Sequence, residues 1–98
     1  MGNETQVERI RKMEAILDEG NRIVSELEQA LEKYDDFSDK IDELERYYTG
    51  GQWQKDFADD EAGRFPHDLK RGVLSEDAVY DFLVLRDKVL KRIGNVKK

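Results

Sequence analysis

The sequence predicts an all-α protein, an antiparallel bundle of three main helices with a structured crossover that contains a short fourth helix. Two observations carry this expectation. Apolar residues recur at every third or fourth position over residues 4–34, again over 37–48 and again over 76–93, which is the period of helices that each bury one face. The single proline and the paired glycines Gly50-Gly51 lie outside those segments, so the breakers punctuate the periodic runs.

The first helix is predicted over 4–34. Val7, Ile10, Met13, Leu17, Gly20, Val24, Leu27, Leu31 and Tyr34 form its seam, and Ile16, Ile23 and Ala30 widen that seam into a broad face. A face this wide suits a bundle helix better than a two-stranded coiled coil. Charged residues fill the opposite side, with Asp18 and Arg22 spaced as a favourable i,i+4 pair. Gly20 lies on the apolar face, where it costs about 1 kcal/mol of helix propensity relative to alanine. Close approach of another helix would explain it, and a kink is the alternative.

The stretch YDDFSDK, residues 34–40, interrupts the pattern. Asp35 and Asp36 are poor in a helix interior, and Asp36 or Ser38 suits an N-cap. The pattern favours a turn here over an uninterrupted helix, with a second helix over 37–48 that buries Phe37, Ile41, Leu44 and Tyr48. So short a connection makes the two helices antiparallel neighbours. Gly50-Gly51 then ends the second helix. A short helix over 53–60 carries Trp53 and Phe57 one turn apart, and 61–74 reads as a loop around Pro66.

The last helix is predicted over 76–93, with Ser75 as N-cap and Glu76 and Asp77 in the first turn, where anions are favoured. Leu74 would staple to Val79, and Val79, Phe82, Leu83, the stem of Arg86, Val89, Leu90 and Ile93 form the buried face. The three helices would be about 45, 18 and 27 Å long at 1.5 Å per residue. The second covers less than half of the first, so either the last helix and residues 53–74 cover the remaining apolar face of helix 4–34 or a second copy does, which is the argument for a homodimer.

Composition narrows the function classes. Ninety-eight residues make one domain with a modest core and no deep enclosed pocket in addition. Charged residues are 41% of the chain and mean hydropathy is −0.85, values that permit disorder without the periodicity above. Without cysteine there is no disulfide and no thiolate nucleophile or metal ligand. No apolar run reaches membrane-spanning length, and the first residues lack the apolar core of a signal peptide, so a cytoplasmic location is expected.

The net charge of −6 is unevenly spread. Residues 1–49 hold 14 acids and 7 bases, whereas 50–98 hold 9 acids and 10 bases. The acidic first half repels nucleic acid. The basic tail from Arg86 to Lys98 places cations where a helix C-terminus favours them.

With these segments laid out, VERIRKMEAILDE, LEQALEKYDDF and LERYYTGGQWQKDFADDEAGRFPHDLKRGVLSEDAVYDFL together resemble a family of small acidic bacterial proteins known only as a domain of unknown function. The resemblance runs from Val7 to Ile93. Its most specific block spans Tyr47 to Tyr80 and includes Trp53, Asp56, Asp60, Glu61, Gly63, Pro66, Asp68 and the run from Lys70 to Asp77. His67 falls outside the pattern. The family implies a bacterial, cytoplasmic, mostly helical protein and brings no activity, so the residues must carry the functional reading.

Four constellations stand out. Asp56, Asp59, Asp60, Glu61 and Asp68 concentrate oxygen ligands of the kind Ca²⁺ or Mg²⁺ requires, with Asp56, Asp60 and Glu61 as the metal candidates. Their spacing fails the EF-hand loop, and the plain alternative is a solvated face paired to Lys70 or Arg71. His67-Asp68 has the form of an oriented imidazole. Ser25, Ser38 and Ser75 all have helix-face or capping explanations, however, and no catalytic set can be assembled.

Lys70 and Arg71 stand before a helix start, but Glu76 and Asp77 occupy the first turn and would repel an anion. Finally, six of the nine aromatic residues lie within 47–80, interleaved with cations. Such a set anchors protein partners, stacks on bases or forms a small core. The leading reading is a non-enzymatic interaction or adaptor module without a cofactor. It would bind a protein partner of unknown identity through Trp53, Phe65, Lys70, Arg71 and Tyr80. A small metal-dependent enzyme or ion-binding protein at Asp56, Asp60, Glu61 and Asp68 is the rival.

Overall fold

The computed structural model describes residues 3–96; Met1, Gly2, Lys97 and Lys98, which belong to the terminal segments read above, lie outside the described residues. Among the described residues the chain is all-helical, with α1 at Asn3–Thr49, α2 at Gln52–Glu61, a 3-10 turn at Gly72–Leu74 and α3 at Ala78–Gly94. It divides into two units, one ending at Ser38 and the other beginning at Asp39.

The turn expected at residues 34–40 is absent, and helix 4–34 and helix 37–48 are one continuous α1. The physical reason is local. Neither glycine nor proline occurs between Asn21 and Thr49, and two aspartates in a helix cost only a few tenths of a kcal/mol each, about 0.5. Starting a second helix would add a nucleation cost instead. Ser38, offered as a cap, donates its hydroxyl to the Asp35 carbonyl at 2.9 Å, the backward bond of a serine inside a helix.

In the first unit, Arg22 is held by Glu19 and Glu26, each at 2.8 Å, and not by Asp18 as its spacing suggested. The hydrogen bond from Arg22 holds the Glu19 carboxyl below the usual range. A Cβ built on Gly20 would meet nothing within 4 Å, so no close approach among the described residues of the first unit explains that glycine.

In the second unit, α1 ends where Thr49 Oγ1 donates to the Glu45 carbonyl at 2.8 Å and Gly50 N donates to the Arg46 carbonyl at 2.9 Å. A Cβ at Gly50 would lie 2.7 Å from that same Arg46 oxygen, and Gly51 follows with φ of +100°. These two glycines terminate α1 as their spacing predicts. Gly63, φ +71°, turns the chain out of α2.

Among the described residues the buried apolar ones are Ile41, Leu74 and Val79, all in the second unit. The 3-10 turn packs on both α2 and α3 and is the joint of this unit. It displaces the expected cap. Ser75 is the C-cap of the 3-10 turn, and α3 starts three residues later behind Asp77, which makes no side-chain cap. Leu74 and Val79 are both buried, but they are not the staple positions of α3 once its first residue is Ala78.

Candidate functional site

The segment 53–81 contains a set of contacts that begins at Trp53. Its ring meets Tyr48 edge-on with centroids 5.1 Å apart and stacks on Phe57 at 5.0 Å. The i,i+4 spacing of Trp53 and Phe57 on α2 produces the stack. Trp53 Nε1 donates to the Val73 carbonyl at 2.8 Å, which ties α2 to the 3-10 turn across 20 residues. Arg71 reinforces the same joint by donating to Asp60 at 2.9 Å. Arg64 pairs with Asp59 at 3.0 Å. These bonds explain the cation before the α3 start: Arg71 is a structural tie.

The expected partner-binding residues therefore divide into two groups. Trp53 and Arg71 are partly buried and engaged within the chain, and Phe65 is also partly buried. Lys70 and Tyr80 are exposed. Of the metal candidates, Asp56 accepts from the Tyr47 hydroxyl at 2.7 Å and Asp60 holds Arg71, while Glu61 is exposed. Among the described residues no three His, Cys, Asp or Glu side chains come together as a metal site. His67 and Asp68 are both exposed.

Two contacts escaped the sequence reading. Burial pushes the Tyr47 phenol up to about 12, and the hydrogen bond and charge of Asp56 add to the shift. Arg86, whose stem was expected to be buried, is 13% exposed and reaches Glu45 of α1 at 2.9 Å and Asp87 at 2.9 Å. The bond to Glu45, then the one to Asp87, raise its pKa further. Neither pair has a local sequence signal, because Glu45–Arg86 spans 41 residues and Tyr47–Asp56 crosses a turn.

The second surface is on the first unit. Val7, Ile10, Met13, Ile16, Leu17, Ile23, Val24, Leu27 and Leu31 are exposed by between 36% (Leu31) and 65% (Val24). They are the seam that the 3-4 spacing marks as a face to be buried. On α3, Phe82, Leu85, Val89 and Ile93 form a shorter exposed apolar strip, exposed by between 38% and 56%.

Fold and surface together define a chain that is all-helical among the described residues and that carries a row of exposed apolar side chains along one helix face. No helix among the described residues is long and apolar enough to cross a membrane. The chain belongs to the family described as domain of unknown function DUF4298, whose family model matches residues 10–94. No curated protein and no solved structure matches it.

Proposed function

We propose that this protein is a non-enzymatic protein–protein interaction module, and that its principal contact surface is the apolar stripe of α1 over residues 7–31. The observation that carries this reading is that nine aliphatic side chains of one helical face are exposed together. Contiguous apolar surface of this kind marks interaction sites. The width of the stripe is that of a bundle helix, so the bundle is completed on association. Segment 53–81 has the composition of a recognition surface, but Trp53 and Arg71 are already bonded within the chain. Lys70 and Tyr80 remain accessible beside them as secondary contacts.

A photo-crosslinking residue at Val24, in the stripe, is compared with one at Glu26 on the opposite side, in cells producing the protein. Adducts with protein from Val24 and not from Glu26 are the expected result. No adduct from Val24, or equal adducts from both positions, overturns the assignment.

A further inference from the structure

We infer that the occupant of the α1 stripe is the same stripe of a second copy of this chain, laid antiparallel on it with Leu17 of each copy seated on Gly20 of the other. This deepens the interaction reading above and rests on it. Gly20 is the first observation. It lies at the centre of the stripe, with Ile16, Leu17, Ile23 and Val24 three and four residues away on either side and all exposed. Nothing stands within 4 Å of a Cβ built there, and an apolar hollow lies beside it, lined by Lys12, Ala15, Ile16, Glu19, Gly20 and Ile23. A bare position inside a ring of aliphatic side chains accepts a side chain from a facing helix, as a knob enters a hole.

The rows of the stripe set the direction. Ile10, Leu17, Val24 and Leu31 repeat at intervals of seven, as do Met13, Gly20 and Leu27 beside them. Ile16 and Ile23 form a third apolar row along one edge, and Val7, Glu14, Asn21 and Glu28 form the other edge. Antiparallel pairing brings matching edges together, so Ile16 meets Ile23 of the second copy and the full width of the apolar face is covered. Parallel pairing in register crosses the edges. It sets Ile16 against Asn21 and Ile23 against Glu28, and it leaves Gly20 facing Gly20 in an empty layer.

Charge fixes the register. With Leu17 on Gly20, Glu14 faces Asn21 of the second copy, which offers an amide donor. Glu28 comes level with the space between Val7 and Arg11, which lie one turn apart. Neither Arg11 nor Glu28 forms an ion pair among the described residues, so each finds its partner on the other copy, twice by symmetry. Registers one heptad away bring Glu14 beside Glu28, or beside Glu14, of the second copy, which is like-charge repulsion. Area supports the same occupant. The paired residues 4–33 span about 45 Å of a helix about 10–12 Å wide, so the two faces bury on the order of 1,000 Å². That reaches the threshold of about 1,000 Å² for a specific interface. The same patch serves both copies, so a pair closes, and no residue of the second unit is needed.

The test uses the full chain in five preparations: wild type, Arg11→Glu, Glu28→Lys, the double variant Arg11→Glu/Glu28→Lys, and Gly20→Leu. Molar mass is read by light scattering on a sizing column over a dilution series up to about 100 µM, where a micromolar dissociation constant leaves mostly dimer. Circular dichroism checks that each chain is helical. The expected result is a wild-type dimer whose dissociation constant rises about fivefold or more in each single charge variant. The double variant should return to the wild-type constant, because both contacts are again of opposite charge. Gly20→Leu should raise the constant about tenfold or more, although leucine favours the helix, because the seat of Leu17 is filled.

A wild type that stays monomeric at the highest concentration overturns the inference while leaving crosslinks from Val24 to other proteins intact, so it fails separately from the interaction reading. A double variant no tighter than the single ones overturns the Arg11–Glu28 register. A Gly20→Leu protein that dimerises as well as wild type, or better, overturns the seat, since added apolar surface strengthens an unspecific contact.

Discussion

Replacing Trp53 by phenylalanine tests the joint on which the second unit depends. Phenylalanine keeps a ring for Tyr48 and Phe57 but loses the Nε1 donor that meets the Val73 carbonyl at 2.8 Å. Loss of one such hydrogen bond costs about 0.5–1.5 kcal/mol, toward the lower end where water reaches the orphaned carbonyl. The smaller ring weakens two aromatic contacts worth roughly 0.5–1.5 kcal/mol each, of which about half is kept. Together these place the loss at about 1–2 kcal/mol, or roughly 5–15 °C in Tm for a domain of this size.

Urea unfolding followed by far-ultraviolet circular dichroism reads the change as a lower midpoint at constant slope. Trp53→Ala, which removes the ring altogether, sets the upper scale at about 3–5 kcal/mol. A Trp53→Phe protein within about 0.3 kcal/mol of wild type would refute the argument, since differences that small are ordinary for surface sites.

Three further outcomes follow from the geometry. Gly50→Ala forces a Cβ to within 2.7 Å of the Arg46 carbonyl oxygen, so thermal unfolding should show a loss of about 1–3 kcal/mol, as for other overpacked positions. Tyr47 has its pKa raised from 10.0 to about 12, so its contribution is complete below about pH 10 and is lost as pH rises through about 12. Phenolate absorbance should show a step near pH 12 that Tyr47→Phe removes, and the variant should lose about 0.5–1.5 kcal/mol at neutral pH with the Asp56 bond. Arg71→Met should cost about 0.5–1.5 kcal/mol through its partly buried pair with Asp60, whereas Lys70→Met stays within about 0.5 kcal/mol, both by denaturant midpoint.

The helical class, α2, and the glycine stop after Thr49 were legible because their signals are local, in the 3-4 spacing and the two adjacent glycines. The continuity of α1 through Asp35-Asp36-Phe37-Ser38 was not. Weak propensity penalties at four residues read as a break, but they are smaller than the cost of nucleating another helix. Ser75 was misplaced for a similar reason. A serine before two acids has the composition of an N-cap, yet the preceding Gly72–Leu74 folds as a 3-10 turn and takes Ser75 as its own end. At the candidate site, residue types were readable and partners were not. Trp53 and Arg71 carry the composition of an interface, but their partners lie 20 and 11 residues away, beyond any helical period.

The position of the buried residues along α1 decides how its stripe should be understood. The 3-4 spacing runs on past Tyr34 through Ile41, and Ile41 is buried at 6% while Val24 is 65% exposed. The Glu19–Arg22–Glu26 pairs are exposed to water and support the first unit only weakly. Propensity and extension from the second unit then hold that part of the helix, since a helix propagates more readily than it starts. Neither contribution needs an aliphatic side chain at Ile10, Leu17, Val24 or Leu31, and a polar helix-former would serve the helix as well at each. Burial of each of these side chains is worth about 1.5–3 kcal/mol, and that is realised only when another surface covers them. The aliphatic stripe therefore makes physical sense as one half of the interface proposed above.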